Sequence, residues 1–199
     1  MSSVLDIVMQ QVKGGGIQQM SQSLGMGEDD VTNVLSGAVP ALMGSLIRNS
    51  ANDDGAASLL GALDRDHDGS ILDDVAGFLG QSGSADAGAG ILRHALGAKQ
   101  STVETALSRS TGADAASAGK ILAMVAPIVM GALGKAKRQQ GLDAKGLSSL
   151  LGQEEEIARQ RSPQAVDMVS RVLDSDGDGD VMDDVAKLGT SLLGSLFKK

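Results

Sequence analysis

Apolar positions recur along this chain with the spacing of helix rather than strand. Val4, Leu5, Val8, Met9 and Val12 fall at i, i+1, i+4, i+5 and i+8, which places them on one face of a helix. Gly14, Gly15 and Gly16 follow directly, and three consecutive residues of poor helix propensity end the helix there. Ser101-Thr-Val-Glu104 has the form of a capping box, in which the serine oxygen takes the backbone N–H of Glu104 and the glutamate reaches back. Ser162-Pro163 marks another start, since proline at the first helical position gives up no needed donor. No run alternates apolar and polar residues with β-branched or aromatic enrichment. The expected fold is therefore all-α, a multi-helical bundle of short helices broken by glycine.

The pattern occurs twice. Residues 31–47 read VTNVLSGAVPALMGSLI and residues 118–134 read AGKILAMVAPIVMGALG. They share Leu35/Leu122, Pro40/Pro127, Met43/Met130, Gly44/Gly131 and Leu46/Leu133 at one offset, 87 positions from Leu35 to Leu122. Upstream, Ser21/Ser108, Ser23/Ser110 and Gly25/Gly112 keep that offset. Farther on, DRDHDGSILDDVAGFL (64–79) is echoed by DSDGDGDVMDDVAKL (174–188). The offset has by then grown to 110, from Asp64 to Asp174, which locates an insertion near residues 153–163. The expected organisation is a duplication, a first helical repeat over 1–87 and a second over 88–199. Pro40 and Pro127 stand within apolar surroundings, as expected of kinked core helices or of short helices meeting at the proline.

Composition narrows the chemistry. The chain has 199 residues, a formal net charge of −8, no Cys, Trp or Tyr, and two Phe. Disulfides and thiolate metal sites are impossible. A net acidic chain lacks the cationic surface that draws nucleic acid, and with two Phe it has no base-stacking platform. The first sixteen residues carry Asp6 inside their apolar stretch and do not read as a secretory signal. The longest uncharged stretches, 31–47 and 121–134, each contain a proline and fall short of the roughly 20 residues that span a bilayer. The expectation is a soluble, cytoplasmic protein whose core is built from Leu, Val, Ile, Ala and Met.

The distinctive chemistry is D-x-D-x-D-G. The first loop (64–75) runs Asp64-Arg-Asp66-His67-Asp68-Gly69-Ser70-Ile71-Leu72-Asp73-Asp74-Val75. The second (174–185) runs Asp174-Ser-Asp176-Gly-Asp178-Gly179-Asp180-Val181-Met182-Asp183-Asp184-Val185. Ca²⁺ takes six to eight oxygen ligands, and alternating carboxylates at positions 1, 3 and 5 of a tight turn converge on one point. Glycine at position 6 allows the bend, after which the backbone carbonyl of position 7, Ser70 or Asp180, turns inward. Position 8 is apolar in both copies (Ile71, Val181), suited to pinning the loop. The loops resemble those of EF-hand and dockerin proteins over about a dozen residues each. Those families place an acidic residue at position 12, where this chain has Val75 and Val185. Either Asp74 and Asp184 close the shell, the arrangement favoured here, or Asp73 and Asp183 do so through water.

Of the two histidines, His67 occupies position 4, which points away from a bound cation, and His94 lies on an apparent surface helix. Neither sits where it would activate a serine, and Gly14–Gly16 is not followed by the residues of a phosphate cradle. No enzyme is expected. Over most of its length the chain resembles a YidB-like bacterial family of unknown function (domain of unknown function 937). The resemblance is carried by Pro40-Ala-Leu-Met43-Gly44 and Pro127-Ile-Val-Met130-Gly131, each followed by its Asp loop. It implies a bacterial all-α protein and no activity. The expected function is calcium binding, with two ions stapling or switching two repeated halves. The alternatives are a calcium-independent module that binds a protein partner or its own copies, and a peripheral membrane protein. The last rests on Val185, Leu188, Leu192, Leu193, Leu196 and Phe197, which share a helical face before Lys198-Lys199.

Overall fold

The computed structural model describes residues 3–161 and Arg171. The helix start at Ser162, the second acidic loop and the apolar stripe from Val185 lie outside them. The described residues form α-helices with no strand among them. In chain order these are α1 (Val4–Gln11), α2 (Ile17–Leu24), α3 (Glu28–Asn49), α4 (Asp53–Asp66), α5 (Val75–Leu79), α6 (Ser84–Leu96), α7 (Gln100–Thr111), α8 (Ala115–Gln140) and α9 (Ala144–Arg161).

The N-terminal stripe folds as its spacing predicts, with Val4, Val8 and Val12 buried. A capping box forms at its start: Asp6 N–H donates to Ser3 Oγ at 3.0 Å, and Ser3 N–H donates to Asp6 at 3.4 Å. Glu154 of α9, almost completely buried, accepts from the Val4 and Leu5 backbone N–H groups at 2.8 and 3.3 Å. A carboxylate far along the chain thus takes up the orphan donors and positive dipole end of α1. The helix breaks in the triple glycine, where Gly15 adopts φ +107°.

Two helices are longer than the expected short segments. Both α3, with 22 residues, and α8, with 26, continue through their prolines, Pro40 and Pro127. Both are long and apolar enough to cross a membrane by length and composition, and most of each apolar stretch is buried inside the protein. The charge-free runs are shorter than the helices because charged residues fall at the helix ends. Burying each large aliphatic side chain contributes about 1.5–3 kcal/mol, and Leu35, Leu122, Ile121, Ile128 and Leu133 are fully buried.

Helix α8 is the axis of the bundle. It packs against α1, α3, α4, α6 and α7, and every residue from 121 to 134 is buried. Pro127 has no N–H, so the carbonyl of Ala123, four residues back, lacks its helical donor. Gly88 of α6 lies over that carbonyl so closely that a Cβ there would collide with it. Residues on both sides of position 87 share one hydrophobic core.

The Ser101 capping box does not form. Helix α7 starts two residues earlier than that box requires, at Gln100, continuing from a 3-10 turn over Gly97–Lys99 without a side-chain cap. Glu104 instead accepts from Gln100 Nε2 at 2.8 Å, one helical turn away. The incoming turn already supplies helical geometry, so Ser101 never takes the extended conformation that a cap requires.

Candidate functional site

The first acidic loop is a helix–turn–helix. Asp64 and Asp66 occupy the last turn of α4, a 3-10 turn spans Ser70–Asp73, and α5 begins at Val75. Between them Gly69 adopts φ +91°, a left-handed conformation that glycine enters without steric cost. The sharp bend expected at position 6 is therefore present. Asp74 caps α5, its Oδ1 accepting from Gly77 N–H at 2.8 Å. Leu72 and Val75 are buried, and Ile71 is half-buried against the core.

The turn rests on α8. A Cβ on Gly134 would collide with the His67 carbonyl oxygen, and one on Gly131 with the Ile71 side chain. Gly69 lies close over Lys135 and the Gly131 carbonyl. Two glycines of α8, one turn apart, make the seat into which the loop backbone drops.

This seat brings basic residues to the loop. Lys137 forms a hydrogen-bonded ion pair with Asp64, and Arg138 lies 3.5 Å from Asp68. Asp68 also accepts from Ser70 N–H at 2.9 Å. The hydrogen bonds from Ser70, helped by the Arg138 charge, hold the Asp68 carboxyl below the usual carboxylate range. Asp66 is exposed and approaches Arg65 at 4.0 Å. Burial pushes His67 below the ordinary imidazole value, and the charge of Asp66 partly opposes that shift. His67 is half-buried rather than solvent-facing, and it borders a cavity with the exposed His94.

Among the described residues, no three His, Cys, Asp or Glu side chains are gathered as a metal would require. Asp64 and Asp66 stand on the last turn of α4 and Asp68 just beyond it, each with its own neighbours. Asp73 is exposed on the 3-10 turn and Asp74 is engaged as a cap. Ser70 contributes its N–H to Asp68. Asp174, Asp176, Asp178, Asp180, Asp183 and Asp184 lie outside the described residues. Sequence reasoning missed Lys137 and Arg138, which are 73 and 70 residues from their partners. Their only local signal was a basic run closing a long apolar helix, which reads as ordinary dipole complementation.

No curated protein and no solved structure matches the chain. The model of a family described as bacterial protein of unknown function (DUF937) matches residues 6–136, from α1 through the loop and most of α8. On that match, which spans well over half its length, the chain belongs to this bacterial family of unknown function.

Proposed function

We propose that the chain is a calcium-binding helical module, in which Ca²⁺ at the Asp64–Asp74 turn replaces the cationic partners that α8 supplies. The observation that carries this reading is the turn itself: alternating carboxylates lead into a left-handed Gly69, with the backbone fixed against α8. Such a turn presents carboxylates and carbonyl oxygens to a hard cation. The side chains of Asp64, Asp66 and Asp68 are each more than half exposed. Asp64 and Asp66 stand two residues apart on α4, where side chains face apart, so bringing all three to one ion requires the last turn of α4 to unwind. Three carboxylates in one turn repel one another, and either an ammonium and a guanidinium or one divalent ion relieves that repulsion. Asp174–Asp184 repeats the ligand pattern, and we assign a second ion to it as part of a duplicated architecture. Ca²⁺ acts here by holding the turn's own carboxylates together rather than as a reactant, and no catalytic role is proposed.

Isothermal titration in chelator-treated buffer tests the reading. Expected are saturable heat with Ca²⁺, a weaker response to Mg²⁺ and loss of one site in Asp64→Asn. Lys137→Met should tighten calcium binding by removing the competing cation.

A second reading has its own observation. The Lys137–Asp64 and Arg138–Asp68 pairs already join the turn to α8, as a calcium-independent interaction or assembly module needs. Under it, millimolar Ca²⁺ gives no heat, Lys137→Met does not create a site, and light scattering is unchanged by chelator.

A further inference from the structure

Helices α4 and α6 lie side by side without close packing between them, and a cavity of about 590 Å³ opens where they part. That volume falls in the range of small-molecule sites. Along α4 the lining residues are Gly55, Ser58, Leu59, Ala62, Arg65 and Asp66, which recur at helical spacing and so form one face. Along α6 they are Ala87, Gly90, Ile91 and His94, again one face. Leu46 and Asn49 of α3, His67, and Met130 of α8 also line the cavity. From Gly55 to Arg65 the wall runs about 15 Å at 1.5 Å per residue.

We propose that this groove binds one elongated apolar carboxylate, a single-chain fatty-acid anion, with its carboxylate at Arg65. The walls supply the reasons. The aliphatic part is formed by Leu46, Leu59, Ala62, Ala87, Ile91 and Ala95, and Met130 contributes an adaptable side chain. The small residues Ala62, Ala87 and Gly90 leave width between the helices. A Cβ on Gly90 would meet nothing within 4 Å, so its missing side chain leaves open space rather than permitting a backbone contact. At the α4 C-terminal mouth Arg65 is three-quarters exposed, and its Nε makes a loose ion pair with Asp66 at 4.0 Å, without a hydrogen bond, which a ligand carboxylate would replace. A guanidinium pairs with a carboxylate through two parallel N–H donors. The net charge of −8 and the Asp66 carboxylate at the same mouth oppose an anion, so binding of the head depends on Arg65 turning from Asp66 to the ligand.

Titration with decanoate, and separately with decanol, tests the assignment on the full chain at neutral pH with chelator present, which keeps calcium at the acidic turn out of the result. One decanoate per chain is expected, bound at least about tenfold more tightly than decanol. Gly90→Leu should abolish decanoate binding at an unchanged or raised Tm, because leucine fills open space and has the better helix propensity. Gly152→Leu, an open glycine on α9 away from the groove, should bind as wild type. Arg65→Gln should bring decanoate down to the level of decanol. The proposal is overturned by absence of saturable decanoate binding, by wild-type binding in a folded Gly90→Leu, or by equal affinity for decanoate and decanol in the wild type.

Discussion

Helices α3 and α8 carry the same apolar pattern around a central proline, yet they do different jobs. In α8 residues 121–134 are buried without interruption, whereas in α3 the comparable run extends only from 37 to 43, with Ser36 exposed before it and Gly44 half-buried after it. The difference lies in the neighbours. Two backbones press directly on α8: Gly88 of α6 meets the carbonyl freed by Pro127, and the acidic turn sits in the seat made by Gly131 and Gly134. The position matching Gly134 in α3 is Ile47, half-buried against the core. Two buried serines also serve α3, Ser45 within it and Ser50 at its C-cap, whose hydroxyls bond back to the Ala41 and Leu46 carbonyls at 2.7 and 2.6 Å. One residue's difference in bulk decides whether a loop can dock on a helix or only side chains can pack there.

Installing the α3 residue in α8 is the strongest test of that contrast. Gly134→Ile should destabilise by about 3 kcal/mol or more, since the colliding atom is backbone and cannot rotate away. An unchanged urea midpoint would break the comparison. Next in size, Leu122→Ala and Leu35→Ala each remove a fully buried side chain and should cost about 2–5 kcal/mol. The more enclosed α8 site should collapse less and lose more, which paired denaturation curves will show. Lys137→Met cuts the ion pair to the acidic turn and should cost under about 1 kcal/mol, because Asp64 is half exposed and water screens the pair. A loss of several kcal/mol would mean that the pair, not the glycine seat, holds the turn.

The smallest effect concerns pH. Helix α8 begins with Asp114, whose carboxylate accepts from Ser117 N–H at 2.9 Å, while α3 begins with Gly27 and no side-chain cap. The Ser117 hydrogen bonds hold the Asp114 carboxyl below its ordinary value. Below that ordinary value the unfolded chain therefore binds more protons than the folded one. The stabilisation is complete above the unfolded carboxylate range and fades as pH falls through the folded value. Wild type should lose more stability on acidification than Asp114→Asn, which keeps an uncharged cap. Parallel acid dependences measured by circular dichroism would remove Asp114 from the account.

The capping residues show how far local pattern could be read. The Ser3–Asp6 box has the spacing of a cap with aspartate at its third position, and it forms. The Ser101–Glu104 box has the better residues and does not form, because the preceding 3-10 turn delivers the chain already helical. At the acidic turn the glycine bend and the apolar pin were legible. The Lys137 and Arg138 partners were not, since nothing local distinguishes cations that cap a helix from cations that meet a loop 70 residues away.

Spacing and composition by themselves determined an all-α chain, the break at Gly14–Gly16, the burial of both proline-bearing segments and an oxygen-rich turn bent at Gly69. These are local properties, set by a residue's own dihedral preferences and by the period of its apolar neighbours. Only the tertiary structure decided that α8 rather than α3 is the axis, that Glu154 caps α1, that α4 and α6 part to leave a groove, and which charges face the turn. Those outcomes depend on how closely two backbones can approach, a steric matter between residues far apart in sequence that no single segment records.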